Sequence, residues 1–265
     1  MFTLVEFFQP ETLKEAYEKL TVRKTNTILG GCAYLKMGNK KIGTGIDLSK
    51  LNLDYINNSE DYIEIGASTT FREIETSELL NTAFNGVLNE SVKDIIGVQF
   101  RNIVTAGASV YSKYGFSDFI TALLSLDTEV ELYKSGKLPL GEFLVKPYEK
   151  DILTKIYIKK NRRKAVYKSL RNSKSDYAIL CAAVSKLDND FRIVVGARPA
   201  CASVASEASK LLSSESFSEE LLDKALEKMA SELVFGTNMR ASGEYRQSIS
   251  KVLVKRAVME VLQCK

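Results

Sequence analysis

This chain is predicted to adopt an α+β fold in three successive segments, on three observations. A short apolar strand near the N-terminus runs directly into a Gly-Gly turn. Alternating strands and amphipathic helices then succeed one another through the middle. Towards the C-terminus two apolar runs face each other across Asp188-Asn189-Asp190, and the remainder turns helical. At 265 residues and 45% hydrophobic content the chain is long enough to bury a substantial core.

The first segment covers residues 1–57. Thr12 is placed to cap a helix within Pro10–Leu20, with Glu15 three residues on and Leu13, Ala16, Tyr17 and Leu20 on one apolar face. Thr27-Ile28-Leu29 reads as a short buried strand entering Gly30-Gly31, and Lys41–Leu48 as a further strand, in an order the pattern does not fix. In the second segment, 58–164, Tyr62–Ala67 and Glu129–Tyr133 alternate as strands do, and Ile152–Ile158 reads as a third. Thr70 with Glu73 forms a capping box, and Asn89–Ile96 and Asp118–Leu126 read as helices. The third segment, 165–265, pairs Tyr177–Ser185 with Phe191–Gly196 in a hairpin and covers that small antiparallel sheet with helices at Ser218–Leu233 and Tyr245–Leu262.

Composition narrows the chemistry. The chain has no histidine, which removes His-dependent triads, HExxH zinc sites and an imidazole general base. Cys32, Cys181, Cys201 and Cys264 show no CxxC or iron–sulfur spacing, so free thiols, a cytoplasmic location and no metal site are expected. No catalytic side chain is assigned. The net charge of +4 is thinly spread apart from Lys159–Lys164. That run reads as a solvated loop or a docking surface, and no nucleic-acid signature accompanies it. Met1–Phe8 lacks a basic leader and nothing approaches the length of a membrane span, so neither a signal peptide nor a membrane segment is expected.

Two glycine-rich stretches carry the functional signal. One is Leu29-Gly30-Gly31-Cys32-Ala33-Tyr34-Leu35; the other runs from Arg101 and Asn102 through Thr105, Gly107, Ala108 and Ser109. Each exposes backbone little shielded by side chains, and such turns present N–H donors to a diphosphate. Two of them on one ligand suit a long dinucleotide. Gly30-Gly31 alone is also a common turn and matches neither GxGxxG nor the P-loop. Thr105 and Ser109 offer hydroxyls, while Asp118 reads either as an acceptor for sugar hydroxyls or as the cap of the next helix.

Taken in order, these stretches resemble the FAD-binding subunit or domain of the molybdenum hydroxylases, the xanthine dehydrogenase and carbon monoxide dehydrogenase type. Leu29–Leu35 matches that family's AGGT-D-L or AGGHS-L motif. Arg101, Asn102, Thr105, Gly107 and Asp118 fall on its R-N-x-x-T-x-G-G-N pattern and the aspartate beyond it. Ile65–Thr70 resembles its IGA-x-T-T segment, Lys168, Arg171, Asp176 and Ala178 its K-x-x-R-x-x-x-x-D-x-A segment, and Ser242–Arg246 its S-x-E-Y-R signature. The resemblance implies a two-subdomain PCMH-type FAD-binding fold followed by a small sheet-and-helix domain. It also implies non-covalent FAD, held by residues 29–35, Arg101, Asn102, Thr105, Gly107, Ala108, Ser109, Asp118 and Lys168.

The implied partners are a molybdenum-pterin large subunit and a [2Fe-2S] small subunit, with NAD+ or another acceptor taking electrons from the flavin. The sequence departs from the motif at Ala108 and Ser109, where the family has glycine and asparagine. It also departs at Cys32 and Ala33, and at Gly115, where proline is common. Two other readings share these residues: a free-standing FAD-dependent oxidase or reductase, and a scaffold subunit with degenerate flavin motifs.

Overall fold

In the computed structural model, which describes residues 1–264, the chain divides into two interleaved units. The first gathers Met1–Glu73, Val98–Ser112 and Thr128–Lys160. The second gathers Ile74–Gly97, Lys113–Asp127 and the chain from Asn161 onward. Contact follows space here rather than chain order, because two stretches of the middle segment fold with the C-terminal sheet.

The first unit opens with strands β1 (Thr3–Phe8), β2 (Thr27–Leu29) and β3 (Lys41–Asp47). They form a parallel sheet in the order β1-β3-β2, the order that the sequence pattern left open. The Leu13–Val22 helix is the crossover, and Thr12 caps it by accepting from Glu15 N. Ala16 and Leu20 pack with Ile46, Leu48, Leu53 and Ile152. Lys150 ties the C-terminal end of this helix down, its ammonium donating to the carbonyls of Leu20, Arg23 and Asn26 at 3.0, 2.5 and 3.0 Å.

A second sheet of this unit joins β4 (Ile56–Asn58), β5 (Tyr62–Gly66), β6 (Thr128–Leu132), β7 (Gly136–Pro139) and β8 (Leu153–Lys159). All pairs are antiparallel and the order is β4-β5-β8-β6-β7. The last strand in sequence sits at the centre, which fits its alternation: Ile156 and Ile158 are buried opposite Ile65 and Ile63. Lys155 and Tyr157 occupy the other face with Glu64 and Glu131. Thr70 and Glu73 form the capping box as expected, each accepting from the other's backbone N–H.

The second unit carries β9 (Lys164–Arg171), β10 (Ala178–Leu187), β11 (Asp190–Gly196) and β12 (Ser203–Val204) in an antiparallel sheet of order β12-β11-β10-β9. Asp188 takes φ +51 at the hairpin between β10 and β11, which the Asp-Asn-Asp sequence anticipates. Helices Ser206–Ser213, Glu219–Glu232 and Gly243–Val261 cover it, burying Leu222, Met229, Val254 and Val258 against Leu180, Val184 and Ile193. Strand β9 and the short helices at 98–101 and 106–111 have no counterpart among the predicted elements. The predicted Asn89–Ile96 helix forms earlier, at Val87–Val92.

Candidate cofactor-binding site

Strand β2 ends at Leu29, opposite Asp47, and the chain then reverses through two successive left-handed residues. Gly31 takes φ +67 without steric cost; Cys32 takes φ +57 although it carries a side chain. Strained backbone of this kind persists where the surroundings fix it. Here Lys36 N donates to Cys32 O at 3.0 Å and the single turn Leu35–Met37 closes the loop. Among the described residues, none accepts from the N–H groups of Gly31, Cys32 or Ala33. Unpaired, half-buried N–H donors on consecutive residues form a concavity suited to an anion.

The second stretch is built differently. Instead of a glycine turn it is the start of a short helix, Ala106–Tyr111, capped by Thr105, whose Oγ1 accepts from Ala108 N at 3.3 Å. Ala106 N and Gly107 N donate to Thr69 O and Ala67 O, both at 2.8 Å, and Ser109 N donates to Thr105 O at 3.0 Å. Phe71 N returns a bond to Val104 O at 2.9 Å. The backbone donors that the sequence assigns to a ligand here are therefore spent on the Ala67–Phe71 segment and on the cap. Gly107 is required by packing: a Cβ there would lie 2.6 Å from the Ala67 Cβ and 2.8 Å from its carbonyl oxygen.

The two stretches meet within the first unit. A Cβ on Gly31 would lie 1.8 Å from Ile103 O, and one on Gly30 would lie 2.5 Å from the Ala108 Cβ and 3.1 Å from Thr105 Oγ1. Gly30 and Gly31 thus lie against Ile103–Ala108, with Ser109 one residue further along the same helix. Of the remaining residues from this stretch, Arg101 is buried at 6% exposure and Asn102 is exposed. Burial pushes the Cys32 thiol up from its ordinary value, against the pull of Lys36.

Asp118 and Lys168 fall in the other unit, each with its own partners. Ser117, not Asp118, caps the Asp118–Leu124 helix, accepting from Ile120 N at 3.1 Å. The Asp118 carboxylate, 3% exposed, accepts from Tyr167 Oη and pairs with Arg171 at 3.1 Å. Burial pushes this carboxyl up, opposed by the Arg171 charge and the bonds from Tyr167 and Arg171. The helix-cap role weighed from sequence falls to Ser117, and Asp118 forms a buried clasp between the helix start and β9. Lys168 pairs with Glu260 at 2.6 Å.

The basic run is also less free than it reads. Arg163 is 3% exposed, bonded to Asp190 at 2.5 Å and to Ser185 at 3.2 Å, while Lys160 donates to Ser59 O at 2.9 Å. Sequence reasoning gave no role to the carbonyls of Ala67, Thr69 and Ile103, which seat the two stretches. The Ile65–Thr70 likeness was the available signal for the first two.

The family model for the FAD binding domain in molybdopterin dehydrogenase matches residues 2–159, and that for the CO dehydrogenase flavoprotein C-terminal domain matches 165–261. The glyceraldehyde dehydrogenase medium chain of Sulfolobus acidocaldarius is 24% identical, covering 96% of this chain and 97% of its own. The nicotine 6-hydroxylase medium subunit of Paenarthrobacter nicotinovorans is 22% identical over 97% of this chain and 96% of its own. Among solved structures, a chain of carbon monoxide dehydrogenase from Hydrogenophaga pseudoflava, an enzyme lacking the Mo-pyranopterin moiety, superposes with a TM-score of 0.90 at 20% identity, covering 98% of both chains. No helix among the described residues is long and apolar enough to cross a membrane.

Proposed function

The chain belongs to the family of FAD-binding domains of molybdopterin dehydrogenases, and from that premise we propose that it works as the electron-transferring medium subunit of a multisubunit molybdenum hydroxylase. The observation that carries the placement of its cofactor is the Gly30–Ala33 turn: consecutive N–H groups without acceptors, beside a wall where a side chain on residue 30 or 31 has no room. A diphosphate answers the unpaired donors, since it accepts several N–H bonds, while the packing against Ile103 and Ala108 holds the turn in place.

Bound FAD supplies the junction between single-electron delivery from [2Fe-2S] centres on a partner chain and two-electron release to NAD+ or another acceptor. The chain's own residues bind and orient. Gly31, Cys32 and Ala33 donate to the diphosphate. Thr105 Oγ1 turns its lone pairs towards Ala108 N, which leaves its hydroxyl proton for an acceptor on the ligand. No side chain is assigned to proton transfer, because the cofactor carries the redox step. Substrate chemistry belongs, in this reading, to a molybdenum-pterin large subunit, in a cytoplasmic assembly.

Two measurements test this. Purified chain is expected to carry FAD released intact on denaturation, and affinity-tagged chain is expected to co-purify with molybdenum and iron–sulfur polypeptides. A flavin-loaded chain that oxidises an organic substrate without other polypeptides would favour a free-standing oxidoreductase. A chain that is colourless and does not bind added FAD would favour the scaffold alternative.

A further inference from the structure

We propose that Ala108 is a positioning residue for the cofactor diphosphate, acting through a size-matched contact with Gly30. Ala108 offers the ligand no donor, since its N–H is engaged by Thr105 Oγ1. What it does offer is a methyl group, lying 2.5 Å from where a Cβ on Gly30 would be. Gly30 does not adopt a left-handed φ, so space rather than conformation demands glycine there. The next residue, Gly31, is pressed still more closely, with a Cβ there lying 1.8 Å from Ile103 O. The turn is therefore seated on the second stretch at two adjacent points, the Ala108 methyl under Gly30 and the Ile103 carbonyl under Gly31. Immediately beyond them stand the strained Cys32 and the three unpaired N–H groups.

Close-packed surfaces feel a single methyl. Removing the Ala108 methyl opens a gap beneath Gly30, through which a turn holding a left-handed cysteine can relax and its donors lose alignment. Adding a methyl at Gly30 drives the turn off its seat. Moving the methyl from residue 108 to residue 30 keeps the volume constant. Once the Ala108 Cβ is gone, the nearest atoms to a Cβ at 30 are Thr105 Oγ1 at 3.1 Å and the Cα of residue 108 at 3.6 Å, a fit needing only a small shift. Two single losses that are recovered when the changes are combined are the signature of such a pair.

The proposal rests on the diphosphate placement given above, and the test separates the two. Flavin-free full-length chain is titrated with FAD and with ADP, which shares the diphosphate but not the flavin, and its melting temperature is measured without ligand. Ala108→Gly is expected to weaken both ligands by the same factor, about 3- to 10-fold, and Gly30→Ala by at least about 30-fold. The double variant Gly30→Ala/Ala108→Gly is expected to return within about threefold of the parent for both. If Gly30→Ala alone does not fold, Ala108→Gly and the double variant still decide. Parent-like binding by Ala108→Gly, an effect on FAD but not ADP, or a double variant that recovers its melting temperature but not its affinity would overturn the pair. Gly31→Ala serves as the control for placement: unchanged FAD affinity there overturns the placement itself, whereas lost affinity there with inert Gly30 and Ala108 variants overturns only the pair.

Discussion

The Gly30–Ala33 turn and the Thr105–Tyr111 helix are both marked by glycine, yet their glycines answer opposite needs. Gly31 is glycine for a left-handed φ and for contact with Ile103 O, and the N–H groups around it have no acceptor. Gly107 sits in an ordinary helical turn, is glycine because Ala67 lies against it, and has its N–H bonded to Ala67 O. A glycine motif therefore does not by itself say where a ligand is held. In the placement proposed above, the fate of the neighbouring N–H groups does: unpaired donors are assigned to the binding surface and satisfied ones to the support behind it.

Substitutions at the two glycines give the largest separation. Gly31→Ala combines left-handed strain with a collision against backbone, and is expected to cost about 1–3 kcal/mol of stability. It should also abolish FAD retention, read as the flavin-to-protein absorbance ratio after desalting. Gly107→Ala is expected to cost a similar 1–3 kcal/mol or so by overpacking, measured by denaturant unfolding. Yet it should bind FAD within about threefold of the parent at temperatures where it is folded, because it removes no donor. A Gly107→Ala protein with parent-like stability and lost FAD would break the comparison.

Thr105→Val probes the support more gently. It deletes the helix cap and leaves Ala108 N unpaired, for an expected loss of about 1 kcal/mol. Any larger drop in FAD affinity than in stability would report the hydroxyl proton assigned to the ligand. The smallest effect is one of pH. Burial holds the Cys32 thiol above its ordinary value of 9.0, so it is neutral near pH 7 and gains charge only in alkali. FAD affinity should then be flat from about pH 6 to 9 and fall only above that range as a thiolate forms beside the diphosphate. Cys32→Ser should stay flat throughout, and rapid alkylation of Cys32 at pH 7 would contradict the assignment.

The elements that sequence reads well are those whose pattern is set locally. Thr12 and Thr70 cap as their spacing says, and the alternation of Tyr62–Gly66 and Thr128–Leu132 is that of strands with one face buried. The Gly30-Gly31 turn was legible for the same reason. The 98–111 stretch was not, because its two helices are too short to show a period and are held by carbonyls of Ala67 and Thr69 from elsewhere in the chain. Strand β9 escaped notice because Lys164, Lys168 and Arg171 interrupt its apolar run, two of them paying for that with partners at Glu260 and Asp118. The Asp118 partners were hidden in the same way: Tyr167 and Arg171 lie about fifty residues further along the chain, where no local spacing links them to it.

Amide NMR of isotopically labelled flavin-free chain, titrated with FAD and followed by hydrogen exchange, tests the division between the two stretches most directly. The account predicts that the amides of Gly31, Cys32 and Ala33 exchange freely without ligand, shift on titration and become protected when FAD binds. It predicts that those of Ala106, Gly107 and Ala108 are protected from the outset and change little. The reverse pattern, with protection gained at Ala106–Ala108 and none at Gly31–Ala33, would contradict it.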